Sequence, residues 1–183
     1  MSALSALLEG LPPWARDLKL NLSSILEDEA LPPAARYGAA LACALVEAEP
    51  SLATALLEET RAKAGEAAVE EARAMAALMS MNNVIYRSRH WLGDEQLAGV
   101  PVRLRMMRLG QPATTKPEQE LIALAVSAQN GCERCVGAHA QVLEKAGLDR
   151  SRVHDALRIA ATVRGVAVAL RAQALTPAPT PVG

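Results

Sequence analysis

Large aromatic side chains are nearly missing from this chain: 51% of its 183 residues are apolar, yet only 2% are aromatic and none is Phe. Core volume must therefore come from Ala, Leu, Val and Met. Ala and Leu are strong helix formers, and Ala-rich faces let helices approach closely. The clusters of Val, Ile, Thr and aromatics that mark strands are absent. The expectation is an all-α fold, a single helical domain over residues 1–175 built from two related halves. A Pro-rich tail over residues 176–183 is expected to be disordered.

Helix breakers divide the chain. A short opening helix ends at Gly10-Leu11-Pro12-Pro13, and a second runs from about Trp14 to Asp28. Pro32-Pro33 begins a third, to about Ala48. Helices over Ser51–Lys63 and Glu66–Arg89 follow, the latter apolar through Met75, Leu78, Met79 and Val84. Trp91 to Ala113, broken by Gly93, Gly99, Pro101, Gly110 and Pro112, reads as an irregular connection. Thr115-x-x-Glu118 has the form of a capping box, with Pro117 in the tolerant first turn, and opens a helix to Ala128. Cys132–Ala146 and Ser151–Ala174 complete the helices.

Displacing the sequence by 84 residues aligns Arg36–Arg87 with Glu120–Arg171 without a gap, with identities at Ala39/Ala123, Glu49/Glu133, Val69/Val153, Ala76/Ala160, Val84/Val168 and Arg87/Arg171. Helix and turn positions coincide too, as a duplicated three-helix unit requires. In this register Cys132, Cys135, His139 and Glu120 stand opposite Ala48, Ser51, Ala55 and Arg36. The first half is expected to be a scaffold copy without the chemistry.

That chemistry centres on Cys132-Glu133-Arg134-Cys135, followed by His139. Two thiols at this spacing can close a small disulfide ring, and an imidazole one turn later can take a proton. Asn130-Gly131 separates two apolar runs, so the cysteines are placed on the first turn of a helix, with Cys132, Cys135 and His139 on one face. Unpaired N–H groups and the positive end of the helix dipole favour a thiolate there, which predicts a depressed cysteine pKa. Cys135, deeper in the turn and nearer His139, is assigned as nucleophile, and Cys132 as its resolving partner. Glu120, in the first turns of its helix, has helix-dipole complementation as its ordinary reading; the alternative is that the hairpin brings it toward His139, where a carboxylate would orient the imidazole as a general-base pair requires. His90 and His154 lack such neighbours and read as surface residues. Met75, Met79 and Met81 read as packing, and Cys43, in an Ala-rich run, as a small buried hydrophobe.

Zinc is the alternative for Cys132, Cys135, His139 and Glu120, since CxxC is a common half-site, and it would make the protein a non-catalytic, zinc-stabilised helical scaffold. No second CxxC or HxxxH accompanies it, and Val136 stands where covalent haem attachment needs His. A net charge of −1 and four aromatic residues give no case for nucleic acid. The N-terminus lacks the form of a secretory signal, and no run of roughly 18 apolar residues exists to span a bilayer. With an odd cysteine count, three in all, these features predict a cytoplasmic redox protein rather than a disulfide scaffold.

These residues resemble the AhpD-type alkylhydroperoxidases of the carboxymuconolactone decarboxylase-like superfamily. The similarity runs through Leu18-Lys-Leu-Asn-Leu-Ser-Ser24, Met81-Asn-Asn83 with Tyr86-Arg87, and Ala125-Val-Ser127 leading into Asn130-Gly-Cys132. Glu120, twelve residues before the first cysteine, falls where that family has its relay carboxylate. The resemblance implies an all-helical homotrimer in which Cys135 attacks an organic hydroperoxide and becomes a sulfenic acid, Cys132 closes the disulfide, and Glu120 with His139 relays protons. It further implies dihydrolipoamide as electron donor, supplied by a lipoyl-bearing acyltransferase with lipoamide dehydrogenase. An AhpC-type peroxiredoxin is the implied partner, with no tightly bound cofactor. Well-known members carry His just before the second cysteine, where this chain has Arg134. Arginine cannot shuttle protons near neutral pH, so a general dithiol-disulfide oxidoreductase with little peroxidase activity is the second redox expectation.

Overall fold

The computed structural model describes residues 1–175, apart from the side chains of Glu95 and Ala98; the expected tail over 176–183 lies outside the described residues. Helices α1 (Ala3–Glu9), α2 (Arg16–Glu27), α3 (Pro33–Glu47), α4 (Pro50–Leu92), α5 (Glu95–Gly99), α6 (Lys116–Gln129), α7 (Glu133–Lys145) and α8 (Arg150–Ala174) succeed one another. No strand occurs among the described residues, so the fold is all-α. Short 3-10 turns at Pro13–Ala15 and Met107–Gly110 complete it.

Two helices form the centre. Every residue of α3 from Ala35 to Ala44 is buried, as is every residue of α6 from Gln119 to Ser127. A helix apolar on all sides must be enclosed by others, and α3 packs against α4, α6 and α8. Their small side chains set the spacing. A Cβ at Gly38 would stand 2.7 Å from Ile122 Cδ1, so α3 and α6 meet where the sequence provides no side chain at all. Leu22, Leu41, Leu52, Leu56, Met75, Leu121, Ile122 and Leu124 fill the remaining volume. Each buried aliphatic side chain contributes roughly 1.5–3 kcal/mol.

The two helices expected on either side of Gly65 are both present as the arms of α4, interrupted at that residue, whose backbone (φ +82°, ψ 176°) is not helical. Its second arm corrects the expectation for Val84, which is 56% exposed. The buried stripe runs instead through Met75, Met79, Asn82 and Asn83, in steps of four, three and one. Val84 is five residues beyond Met79 and has rotated off that face. Spacing, not hydropathy, decides which side chains turn inward, and here it turns two amides inward.

The irregular connection contains α5 and the turn at Met107–Gly110, and it is tied down by a buried carboxylate. Glu71 of α4 is fully buried and accepts hydrogen bonds from the backbone N–H of Ala113 (2.5 Å) and Thr114 (3.4 Å), Arg108 (3.2 Å) and Gln119 Nε2 (3.0 Å). A buried charge persists only when paired in this way. The consequence for the site is positional, because the segment so anchored carries Met106 and Leu109.

Candidate redox site

The α6–α7 hairpin places the cysteines. Thr115 and Glu118 form the capping box that starts α6, each side chain bonded to the other's backbone N–H. At the far end Gly131 takes φ +68°, a left-handed conformation that only glycine adopts without strain. The Cys132 N–H then donates to the Ser127 carbonyl at 3.0 Å. Cys132 is the cap of α7 rather than part of its first turn, and Cys135 lies at the third helical position. Polar contacts lock the turn onto α4. Asn130 Nδ2 donates to Asn83 Oδ1 (2.9 Å), Asn83 Nδ2 donates to Ser127 Oγ (3.0 Å), and Arg87 donates to the Asn130 carbonyl.

Cys132 and Cys135 are joined as a disulfide, with their Cα atoms 5.3 Å apart. Cys132 is shut off from solvent, whereas Cys135 faces a cavity of about 340 Å³. Met79, Met106, Leu109 and Ala138 form its apolar wall, and Asn82, Asn83, Tyr86, Arg134 and His139 add polar groups. Its volume is at the lower end of small-ligand pockets.

His139 Nδ1 and Glu120 Oε2 lie 2.6 Å apart. A carboxylate can only accept, so Nδ1 donates, which leaves Nε2 as the nitrogen free to exchange a proton. The other carboxylate oxygen of Glu120 pairs with Lys116 Nζ at 2.5 Å. Burial pushes the Glu120 pKa up, but hydrogen bonds from His139 and Lys116, with their charges, outweigh it and hold the carboxyl below its ordinary value. The four side chains weighed as zinc ligands thus form two bonded pairs. Among the described residues, no group of three His, Cys, Asp or Glu is placed to hold a metal ion.

Outside this cluster, His90 and His154 are exposed, Met75 and Met79 are core, and Met81 is half-buried. Cys43 is fully buried, and burial pushes its thiol pKa up, away from reactivity. Lys116, Asn82, Met106 and Leu109 carry no role in the sequence reading. Lys116 was findable, since it stands four residues before Glu120 on one helix. Met106 and Leu109 sit in a stretch without periodicity, where no pattern reveals a facing side.

No helix among the described residues is long and apolar enough to cross a membrane. The carboxymuconolactone decarboxylase family matches residues 96–177, the part that holds the hairpin and α8. Similarity to individual proteins extends much further. An alkyl hydroperoxide reductase AhpD of Anaeromyxobacter dehalogenans (strain 2CP-C) is 49% identical over 98% of this chain and 97% of its own length. Proteins of the same name from Bradyrhizobium sp. (strain BTAi1) and Streptomyces griseus are 42% and 41% identical, over 95% and 94% of this chain and 96% and 98% of theirs. Identity at this level, over nearly the whole of this chain and of each relative, means that the chain belongs to the AhpD family.

Proposed function

We propose that this protein is a thiol-dependent alkyl hydroperoxide reductase working through Cys132 and Cys135. The observation that carries the reading is the asymmetry of the disulfide: one sulfur is sealed in the core, and the other shares an apolar cavity with His139. A resolving cysteine needs only to reach its partner, whereas an attacking cysteine must meet substrate.

In the reduced enzyme the Cys135 thiolate attacks the terminal oxygen of ROOH. The O–O bond breaks, its electron pair leaves with RO, which takes a proton to become ROH, and Cys135 retains OH as a sulfenic acid. Cys132 then attacks the Cys135 sulfur, the S–S bond forms, and the released hydroxide takes the Cys132 proton and leaves as water. Two electrons pass from the dithiol to the peroxide. The start of α7 and the Arg134 charge favour the thiolate, and His139, held by Glu120, moves protons through Nε2. Dihydrolipoamide restores the dithiol by thiol-disulfide exchange. A lipoyl-bearing acyltransferase with lipoamide dehydrogenase regenerates it, and an AhpC-type peroxiredoxin disulfide is a second electron acceptor. The working form is a cytoplasmic homotrimer. Residues 36–87 act as the scaffold copy of residues 120–171, in support of which α3 with the two arms of α4 matches α6, α7 and α8 in order and extent.

Hydroperoxide consumption with reduced lipoamide tests this directly. Cys135→Ser is expected to reduce it to the uncatalysed rate while the fold persists, and wild-type turnover by that variant would sink the assignment. A second reading, dithiol exchange with weak peroxidase activity, draws on Arg134 lining the cavity where the family's relay histidine is expected. It predicts that peroxiredoxin disulfide is reduced much faster than hydroperoxide.

A further inference from the structure

The side chain of Asn82 presents an unsolved account of polar groups. It is 95% buried on the inward face of α4, it lines the cavity beside Cys135, and its Oδ1 has no hydrogen-bond partner among the described residues. Arg36, Arg87 and Gln129 also hold one unpartnered buried atom, but each side chain bonds elsewhere through another, and none lines this cavity. Asn83, the next residue, is the instructive contrast, with its amide oxygen and nitrogen both engaged by the hairpin. Buried amides are normally satisfied, and one that is not stands in need of an explanation. A Leu at this position would suit the apolar wall of Met79, Met106 and Leu109 better, so an amide that destabilises the empty site points to an occupant that completes it.

We infer that Asn82 is a substrate-binding residue, whose amide holds the peroxide end of an organic hydroperoxide while the apolar wall takes its carbon body. This rests on the peroxidase reading. The last torsion of an Asn side chain is soft and roughly two-fold, so the amide can turn its oxygen or its NH2 to the cavity. Either end matches the ligand: Oδ1 turned to the cavity accepts from the terminal O–H, and Nδ2 turned to it donates to the inner oxygen, where negative charge grows as the O–O bond breaks. That contact strengthens during reaction, which separates a substrate-binding amide from a merely tolerated one.

The test is Asn82→Leu in the full chain, read by three measurements: kcat/KM for cumene hydroperoxide with reduced lipoamide, the rate at which dihydrolipoamide reduces the Cys132–Cys135 disulfide, and Tm. Losing a donor aimed at developing charge lowers kcat/KM by roughly a hundredfold. The disulfide-reduction rate falls by far less than kcat/KM, because that step contains no peroxide for the amide to hold, and Tm stays level or rises, because an unsatisfied buried amide has been removed. Wild-type kcat/KM in the variant overturns the inference, as does a parallel fall in Tm and in both rates, the mark of a structural role. A wild type that consumes no hydroperoxide at all overturns the peroxidase reading itself. If Asn82→Leu does not fold, Asn82→Ala, which empties the position instead of overfilling it, supports the same comparison.

Discussion

Two helix hairpins in this protein share a form and differ in everything chemical. In the first, α3 ends at Ala48 in a left-handed conformation and α4 begins at Pro50; in the second, α6 leads through left-handed Gly131 to the cap Cys132 and α7. Each is clamped by the same arginine of the 84-residue register. Arg171 of α8 donates to the Glu47 carbonyl at the end of α3, and Arg87 of α4 donates to the Asn130 carbonyl at the end of α6. Opposite Cys135, however, stands Ser51, its hydroxyl turned to Glu49 at 2.7 Å, and opposite His139 stands buried Ala55. Opposite Glu120 stands Arg36, which donates to the Asp28 carbonyl. The cleft beside Ser51 is flanked by Ala3, Ala6 and Leu7 of α1, whereas the cavity beside Cys135 is bounded by the Met106–Leu109 segment and the polar stretch of α4. A helical frame is thus indifferent to chemistry, and the candidate redox hairpin is set apart both by its own side chains at these matched positions and by the cavity walls that neighbouring elements bring to it.

The sharpest way to test this contrast is to remove the acid that the first hairpin lacks. Glu120→Gln leaves the shape but no longer dictates which His139 nitrogen carries the proton, and hydroperoxide turnover is expected to fall by roughly two orders of magnitude. Turnover within twofold of wild type would remove Glu120 from the relay. The same variant has a signature in stability. Because the Glu120 pKa is lowered in the folded protein, its carboxylate stabilises the fold above the ordinary value of 4.5, and that contribution is lost as pH falls through the lowered folded value. Urea midpoints of wild type and variant should therefore differ at neutral pH and converge in acid. A gap that persists there would contradict the lowered pKa.

Next in size comes the pair of acids at matched positions in α4 and α8. Glu71 cages the connecting segment, whereas Asp155 pairs, among the described residues, with Arg152 and Arg158 of its own helix, at 3.7 and 3.1 Å. Glu71→Ala leaves its buried donors unpaired and is expected to cost about 3–5 kcal/mol, with impaired peroxide turnover as Met106 and Leu109 lose their anchor. Asp155→Asn is expected to cost at most about 1 kcal/mol. Equal losses in denaturant midpoint would show that the two acids do the same work.

The smallest expected effect belongs to a graft. Ala48→Cys, Ser51→Cys and Ala55→His, made together in a Cys135→Ser background, reproduce the motif on the first hairpin without Glu120, Asn82 or the cavity. No recovery of hydroperoxide turnover is expected. Activity above that of Cys135→Ser alone would mean that spacing suffices and that neighbours matter little.

Much of the frame was legible because its determinants are local. The capping box at Thr115 and Glu118, the Pro-opened α3 and the break before Cys132 each act within a few residues, and the helix bounds follow them closely. The buried face of α4 departs from its hydropathy at Val84, because the angle of a residue around the helix, and not its apolarity, sets which way it faces. Asn82 and Asn83, polar and inward, were invisible as members of the cavity for the same reason.

The amino-acid order by itself determined the all-α class, the buried character of Cys43, and the pairing of two thiols with an imidazole along one helix, since periodicity and turn chemistry depend on near neighbours. The tertiary structure alone decided that Glu120 meets His139 at 2.6 Å, that Cys132 is sealed while Cys135 opens on a cavity, and that Glu71 fastens a wall of that cavity. Those relations depend on how helices pack and on which buried groups find partners, and packing is a property of the whole chain at once.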